Sequence, residues 1–174
     1  DDGYFYMESW IYQPSLATMT LCLAMSAFAS NEVPNEEKGR NVEKLLNDIG
    51  FEGVDHNEDF EIYPQRNTIG VAVGHKEIQD DSARDYTLIA VAVRGAGYET
   101  EWAGNLLMGE TGEHQGFSEA KMEVLTVLDE HIKEHHITGN IKIWITGYSR
   151  ASAVVNLAAA ELINRETIEP QNLY

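Results

Sequence analysis

The sequence predicts an α/β fold with a mostly parallel sheet and an antiparallel edge. Three observations predict it. Two short runs rich in Ile, Val and Ala, "TIGVAVGH" and "YTLIAVAVRG", lie close enough in the chain to pair. A third strand-like run, "IKIWIT", stops at Gly147, and a helical run begins directly after Ser149. A long amphipathic segment separates the second run from the third. Strand, loop, helix, strand, helix is the order of a parallel crossover. The 174 residues suffice for one domain with a real core, taken as 1–174.

Each element has its own warrant. Residues 1–15 are aromatic-rich and irregular. Leu16–Ser30 reads as a helix that is apolar nearly all round and therefore buried on most sides. Its apolar core, "LATMTLCLAMSAFA", is too short to span a bilayer comfortably. "NEVPNEEKGR" is a polar connector. Asn41–Ile49 is a short helix, with Val42, Leu45, Leu46 and Ile49 on one stripe and Gly50 where a left-handed cap is wanted. "DHNEDFE" spaces oxygens like a calcium loop, but it lacks the turn glycine. Arg66 stands where the twelfth-position Glu belongs, so the segment is taken as an acidic loop. Thr68–His75 and Tyr86–Gly95 are strands joined by the polar link "KEIQDDSARD", the second strand being central. Glu119–His136 is a helix with a buried stripe of Met122, Leu125, Leu128 and Ile132. Ile141, Ile143 and Ile145 share one face of the last strand. Ala151, Val154, Val155, Ala158 and Leu162 form the apolar side of the last helix.

Composition narrows the partners. Twelve basic residues stand against 29 acidic ones, a net charge of −17. Phosphate binding depends on Lys and Arg, so nucleic acid is excluded as a partner. Anionic membrane surfaces would repel the same excess. The one cysteine, Cys22, permits no intrachain disulfide and reads as a small buried hydrophobe. Such a chain fits a cytoplasmic protein, and a bacterial secreted enzyme equally. The opening "DDGYFYMESW" has neither an initiator Met nor a basic n-region, which is expected of a processed or trimmed N-terminus rather than an intact signal peptide.

At "GYSRA", Gly147–Ala151, Ser149 reads either as a nucleophile held on a sharp turn or as a structural polar residue at a strand–helix junction. A strand that reverses into a helix within so few residues strains the backbone at the serine and lifts its hydroxyl above the sheet's edge. The flanking residues must be small because strand and helix pass close together. Gly147 and Ala151 meet that need. Ser149 then sits at a helix N-terminus, where N–H groups and the dipole favour a developing oxyanion, with the Arg150 N–H as one donor. A second donor in this architecture comes from the loop after an earlier central strand. Here that loop begins "RGAG", which makes the Ala96 N–H the natural candidate.

No metal or cofactor site is expected. His131 and His135 are spaced i, i+4, but no carboxylate–histidine partner is evident and the helix face reads as polar and solvated. Arg94 closes a buried strand and reads as a structural ion-pair residue.

Three segments together resemble the class 3 lipase family of α/β-hydrolases. "VAVRGAGYETEWAGNL" resembles its strand, oxyanion loop and Trp-containing lid. "EHQGF" resembles the H-x-G-F before its long helix. "ITGYSRASAVVNLAAAEL" resembles its nucleophile elbow, in a form similar to a bacterial branch. The match covers about Thr87 to Leu162. The resemblance implies Ser149 as nucleophile, the Ala96 and Arg150 N–H groups as oxyanion hole, and acyl-ester hydrolysis through an acyl-enzyme. It implies no cofactor. It places Trp102, Leu106, Leu107 and Met108 in a lid that opens in transient contact with a lipid interface. The partner is then a small-molecule or lipid ester. His114 and Phe117 take structural roles in shaping the turn. Ala96 departs from the family's usual Ser or Thr, which removes a hydroxyl but not the backbone donor.

The triad is incomplete in the sequence at hand. The family order is Ser, then an acid, then His. After Ser149 there is no His and no Asp, and Glu161, Glu166 and Glu169 come too early for the role. The expectation is therefore a fold truncated at its C-terminal side, with acid and base in a further portion of the same protein. Two expectations compete with it: an upstream His as base, which would break the family order, and a catalytically inactive lipid- or ligand-binding module that keeps the scaffold.

Overall fold

The computed structural model describes residues 2–28, 35–57, 60, 69–95 and 115–174, with side chains of the second helix from Asn41 onward. Four strands form one sheet in the order β1-β2-β3-β4: β1 Glu52–His56, β2 Val71–Gln79, β3 Asp85–Val93 and β4 Ile141–Gly147. Helices α1 (Pro14–Ser26) and α2 (Asn35–Asp48) cover one face. Helices α3 (Gln115–Glu134) and α4 (Arg150–Asn164) cover the other. Strand alternation divides the core accordingly. Val71, Val73, Ile89, Val91, Ile143 and Ile145 point to α3 and α4, while Ala72, Leu88, Ala90 and Trp144 point to α1 and α2.

β3 is buried along its length from Tyr86 to Val93 and lies between β2 and β4, as its unbroken apolar run predicts. The expectation of a mostly parallel sheet is corrected. β1 pairs antiparallel with β2 and β2 with β3; only β3 and β4 run parallel. The reason is connectivity. β2 continues to Gln79, through residues expected to be a link, and returns through a tight turn that can only join antiparallel strands. The Asp80 carboxylate closes that turn by accepting from the Ser82 and Arg84 N–H groups at 2.9 Å each. Only the passage through α3 is long enough to bring the chain back parallel. The acidic-loop reading is corrected too, since Asp55 and His56 belong to β1.

The helix expectations fare unevenly. α2 buries Val42 and Leu46 completely, and Gly50 takes the left-handed conformation (φ +88°) just past its end. α4 buries Ala151, Val154, Ala158 and Leu162 as expected. α1 is less buried than its composition suggests: only Leu23 and Ala24 are fully covered, and Leu21, Cys22 and Met25 are exposed. One layer packs beneath the helix, so an apolar far side stays outside. In α3 the buried face is Ala120, Val124, Leu125, Leu128 and His131, whereas Met122 is 47% exposed. The helix is turned slightly from the expected stripe, and that rotation carries His131 inward. No described helix is long and apolar enough to cross a membrane.

The chain's last residues lie beside β4. Leu173 bridges Ile143 in parallel, the Tyr174 N–H donates to the Ile143 carbonyl at 2.8 Å and the Ile145 N–H to the Tyr174 carbonyl at 2.9 Å. The Tyr174 hydroxyl donates to the Phe5 carbonyl at 3.0 Å and also reaches the Met7 carbonyl, tying the N-terminal turn to the sheet. Burial, with the charges of Tyr86 and Glu8, pushes this phenol up to about 12. Its folded value exceeds its unfolded one, so its contribution is complete below about pH 10 and lost as pH rises toward 12. Alkaline unfolding followed by circular dichroism should show a steep loss of stability in that window, flattened in Tyr174→Phe.

Candidate functional site

The turn between β4 and α4 has the geometry the "GYSRA" spacing requires. Ser149 sits at φ 60°, ψ −123°, outside the regions an L-residue favours, and stands exposed at the head of α4. A non-glycine residue there carries about 1–3 kcal/mol of strain. The surrounding contacts hold it in place. A Cβ on Gly147 would lie 2.7 Å from the Ala151 Cβ and 3.0 Å from the Ala151 carbonyl, so strand and helix cross at a distance only glycine allows. The Ser152 N–H donates to the Ser149 carbonyl at 3.0 Å and the Ser152 hydroxyl donates to it at 2.6 Å, which fixes the first turn.

The loop after β3 approaches the same point. Val93 pairs with Gly147, and a Cβ on Gly95 would lie 2.6 Å from the Tyr148 carbonyl oxygen and 2.8 Å from the Phe28 ring. Phe28 meets the Tyr148 ring edge-on at 5.4 Å. The described part of the "RGAG" segment therefore ends against the serine's own turn. Ala96, Trp102, Leu106, Leu107, Met108 and His114 lie outside the described residues. Arg150, the other oxyanion candidate, is the first residue of α4, where a backbone N–H has no intrahelical acceptor. Its side chain is buried with the guanidinium 5.7 Å from the Phe117 ring, which gives both residues structural work. Arg94 is fully buried, donates to the Phe60 carbonyl at 3.2 Å and lies over the Phe60 ring.

A cleft of about 390 Å³ opens beside the turn, between Thr146–Tyr148 and the exposed side of α1. Leu16, Ala17, Leu21 and Tyr12 make its walls mostly apolar.

No described residue supplies a hydrogen bond to the Ser149 hydroxyl. His56 stands at the matching end of the sheet but on β1, three strand spacings from β4, about 14 Å. His75, His131 and His135 gather elsewhere, where β2 packs on α3. This overturns the reading of His131 and His135 as a solvated face. His131 is 3% exposed, and His75 Nδ1 lies 3.0 Å from His131 Nε2. Burial first, then the charges of His135 and His75, pushes His131 down to about 4; burial and His135 lower His75 as well. The i, i+4 spacing of the helical pair was visible in the sequence. The third histidine, 56 residues earlier, was not.

Fold and turn together define an α/β protein with a mixed four-stranded sheet and an exposed serine on a strained strand-to-helix turn. Comparisons with protein-family models, curated proteins and solved structures found no match.

Proposed function

We propose that the protein is a serine hydrolase of carboxylic esters, of lipase or esterase type, with Ser149 as nucleophile. The observation that carries this reading is the backbone of Ser149, strained at φ 60° while its side chain stays exposed. Strain at an exposed polar residue, held by tight packing on both sides, is characteristic of a functional turn. In this reading Oγ bonds to the ester carbonyl carbon and its proton passes to a base. The carbonyl electrons move to oxygen, which accepts hydrogen bonds from the Arg150 and Ala96 N–H groups. Collapse expels the alcohol, which takes the proton, and water then releases the acid from the acyl-enzyme by the same steps. The base and its orienting acid are assigned to residues outside those described. The lid role of Trp102, Leu106, Leu107 and Met108 and transient contact with a lipid interface belong to the same proposal.

The test is the intact mass of the purified protein before and after a fluorophosphonate. One adduct, on the Ser149 peptide, supports the reading. No adduct together with no hydrolysis of short or long acyl esters rejects it. A second reading, an inactive acyl-binding module, draws on the apolar cleft and on the lack of a described base. It predicts tight binding of a fatty acid without adduct or turnover.

The cleft itself makes a prediction. If it takes the acyl chain, Ala17→Trp should lower kcat/KM on long-chain esters by more than about tenfold and leave acetate esters nearly unchanged. Equal losses on both chain lengths would remove the cleft from the substrate path.

A further inference from the structure

Three imidazoles converge on one point between the sheet and α3. His75 projects from β2 on the same face as Val71 and Val73. His131 comes from the last turn of α3, and His135 follows directly after the helix ends, its N–H donating to the His131 carbonyl at 3.1 Å. One ring nitrogen from each lies within 4.8 Å of the others, and the closest pair is 3.0 Å apart. The ring centroids are separated by 5.1, 4.8 and 4.4 Å.

The backbone is arranged around this cluster. β1 carries a register irregularity between Glu52 and Asp55, and Gly53 within it has φ +55°. A Cβ on Gly53 would lie 2.6 Å from His135 Cε1 and 2.9 Å from His75 Cε1. The edge strand thus gives up a side chain where two imidazoles pass. Beyond the bulge, an Asp55 oxygen stands 3.6 Å from His135 Nε2. A cleft of about 260 Å³ whose lining includes Asp55, Glu130 and Glu134 reaches His131.

Packing alone explains this poorly. Three polar rings in one place have at most one proton to share across the 3.0 Å contact. His131 Nδ1 and His135 Nε2 are buried without a hydrogen bond among the described residues. Buried imidazole nitrogens normally find partners.

We propose that His75, His131 and His135 bind a divalent transition-metal ion, zinc in the first instance, with Asp55 as fourth ligand. Zinc takes imidazole nitrogen and carboxylate oxygen at about 2.0–2.2 Å in a tetrahedron, which puts neighbouring donor atoms about 3.3–3.5 Å apart. The separations of 3.0 Å (His75–His131) and 3.6 Å (His135–Asp55) lie near that value, and the three nitrogens, within 4.8 Å of one another, draw together on the ion. Three nitrogen donors favour zinc over calcium or magnesium, which demand oxygen. The ion would fasten the β1–β2 edge to α3. It would not touch the serine: His75 pairs with Ile89, four residues and about 13 Å along the strand from the Val71–Val93 level where Gly147 lies. The proposal stands independently of the hydrolase reading.

Chelator-stripped protein is titrated with zinc chloride by calorimetry, bound metal is counted after dialysis, and the melting temperature is read with and without zinc. One zinc per chain is expected, with a melting temperature several degrees higher at saturation. His75→Gln and His135→Gln, both at half-buried positions, should keep the native circular dichroism and weaken zinc binding about 100-fold or more. His136→Asn, which alters an exposed neighbour outside the cluster, should bind as the parent does. Failure of the parent to retain zinc overturns the site. So does binding that survives both glutamine variants, or zinc that excess calcium displaces, since either result points to the surface carboxylates.

Discussion

Replacing Ser149 with glycine is expected to stabilise the fold while abolishing the proposed ester chemistry. At φ 60°, ψ −123°, serine bears a steric cost that glycine does not. Relief of about 1–3 kcal/mol is partly offset by the extra freedom of glycine in the unfolded chain, about 0.4–1 kcal/mol. A net gain of about 1 kcal/mol is expected in denaturant melts. The same change deletes the proposed nucleophile, so fluorophosphonate labelling should disappear and ester turnover fall by a factor on the order of 10³–10⁶. Ser149→Ala should lose reactivity to the same extent without the gain in stability, because alanine keeps the Cβ. Most substitutions that remove a structural serine destabilise or do nothing. A variant that becomes more stable and fully inert marks a residue whose conformation is maintained for reactivity. If Ser149→Gly instead melts earlier and still labels, the turn is an ordinary connection and the hydrolase reading fails with it.

Gly147→Ala should do the opposite to stability and nearly the same to activity. Its new methyl would meet the Ala151 Cβ at 2.7 Å and Ala151 backbone atoms at 3.0 Å, none of which can rotate away. Relaxation has to move the head of α4 from the end of β4. Overpacking of this kind costs about 1–3 kcal/mol. A shift of the turn by even about 1 Å would separate Oγ from the proposed oxyanion donors and lower labelling about 100-fold. Melting and labelling should therefore fall together. Unchanged labelling in a destabilised Gly147→Ala would show that the close crossing of strand and helix does not position the serine. The two variants pull stability in opposite directions and activity in one, a pattern that general damage to the fold cannot imitate.

Much of this architecture was legible along the chain. Alternation in Ile141–Ile145, the unbroken apolar run of β3 and the stripe of α4 each depend on a residue and its near neighbours, and each forms where local periodicity places it. The elbow was equally legible, because its requirements are a small residue, a serine and a small residue within five positions. What periodicity could not decide was which side of an element meets a neighbour. α1 is apolar all round, yet only one side is covered, so Cys22 and Leu21 face outward. The rotation of α3 turns on its packing against β2 and α4, and that rotation moves His131 from an expected wet face into the interior. Strand direction likewise followed from how far β2 extends before it turns. The histidine cluster is the clearest case. His131 and His135 announce themselves by spacing, but His75 joins them only because β2 lies beneath α3 and Gly53 withdraws from the space between. Short-range sequence encodes elements and the strained turn, since their energetics are local. Sites assembled from distant residues depend on packing angles, which are set by the whole core at once.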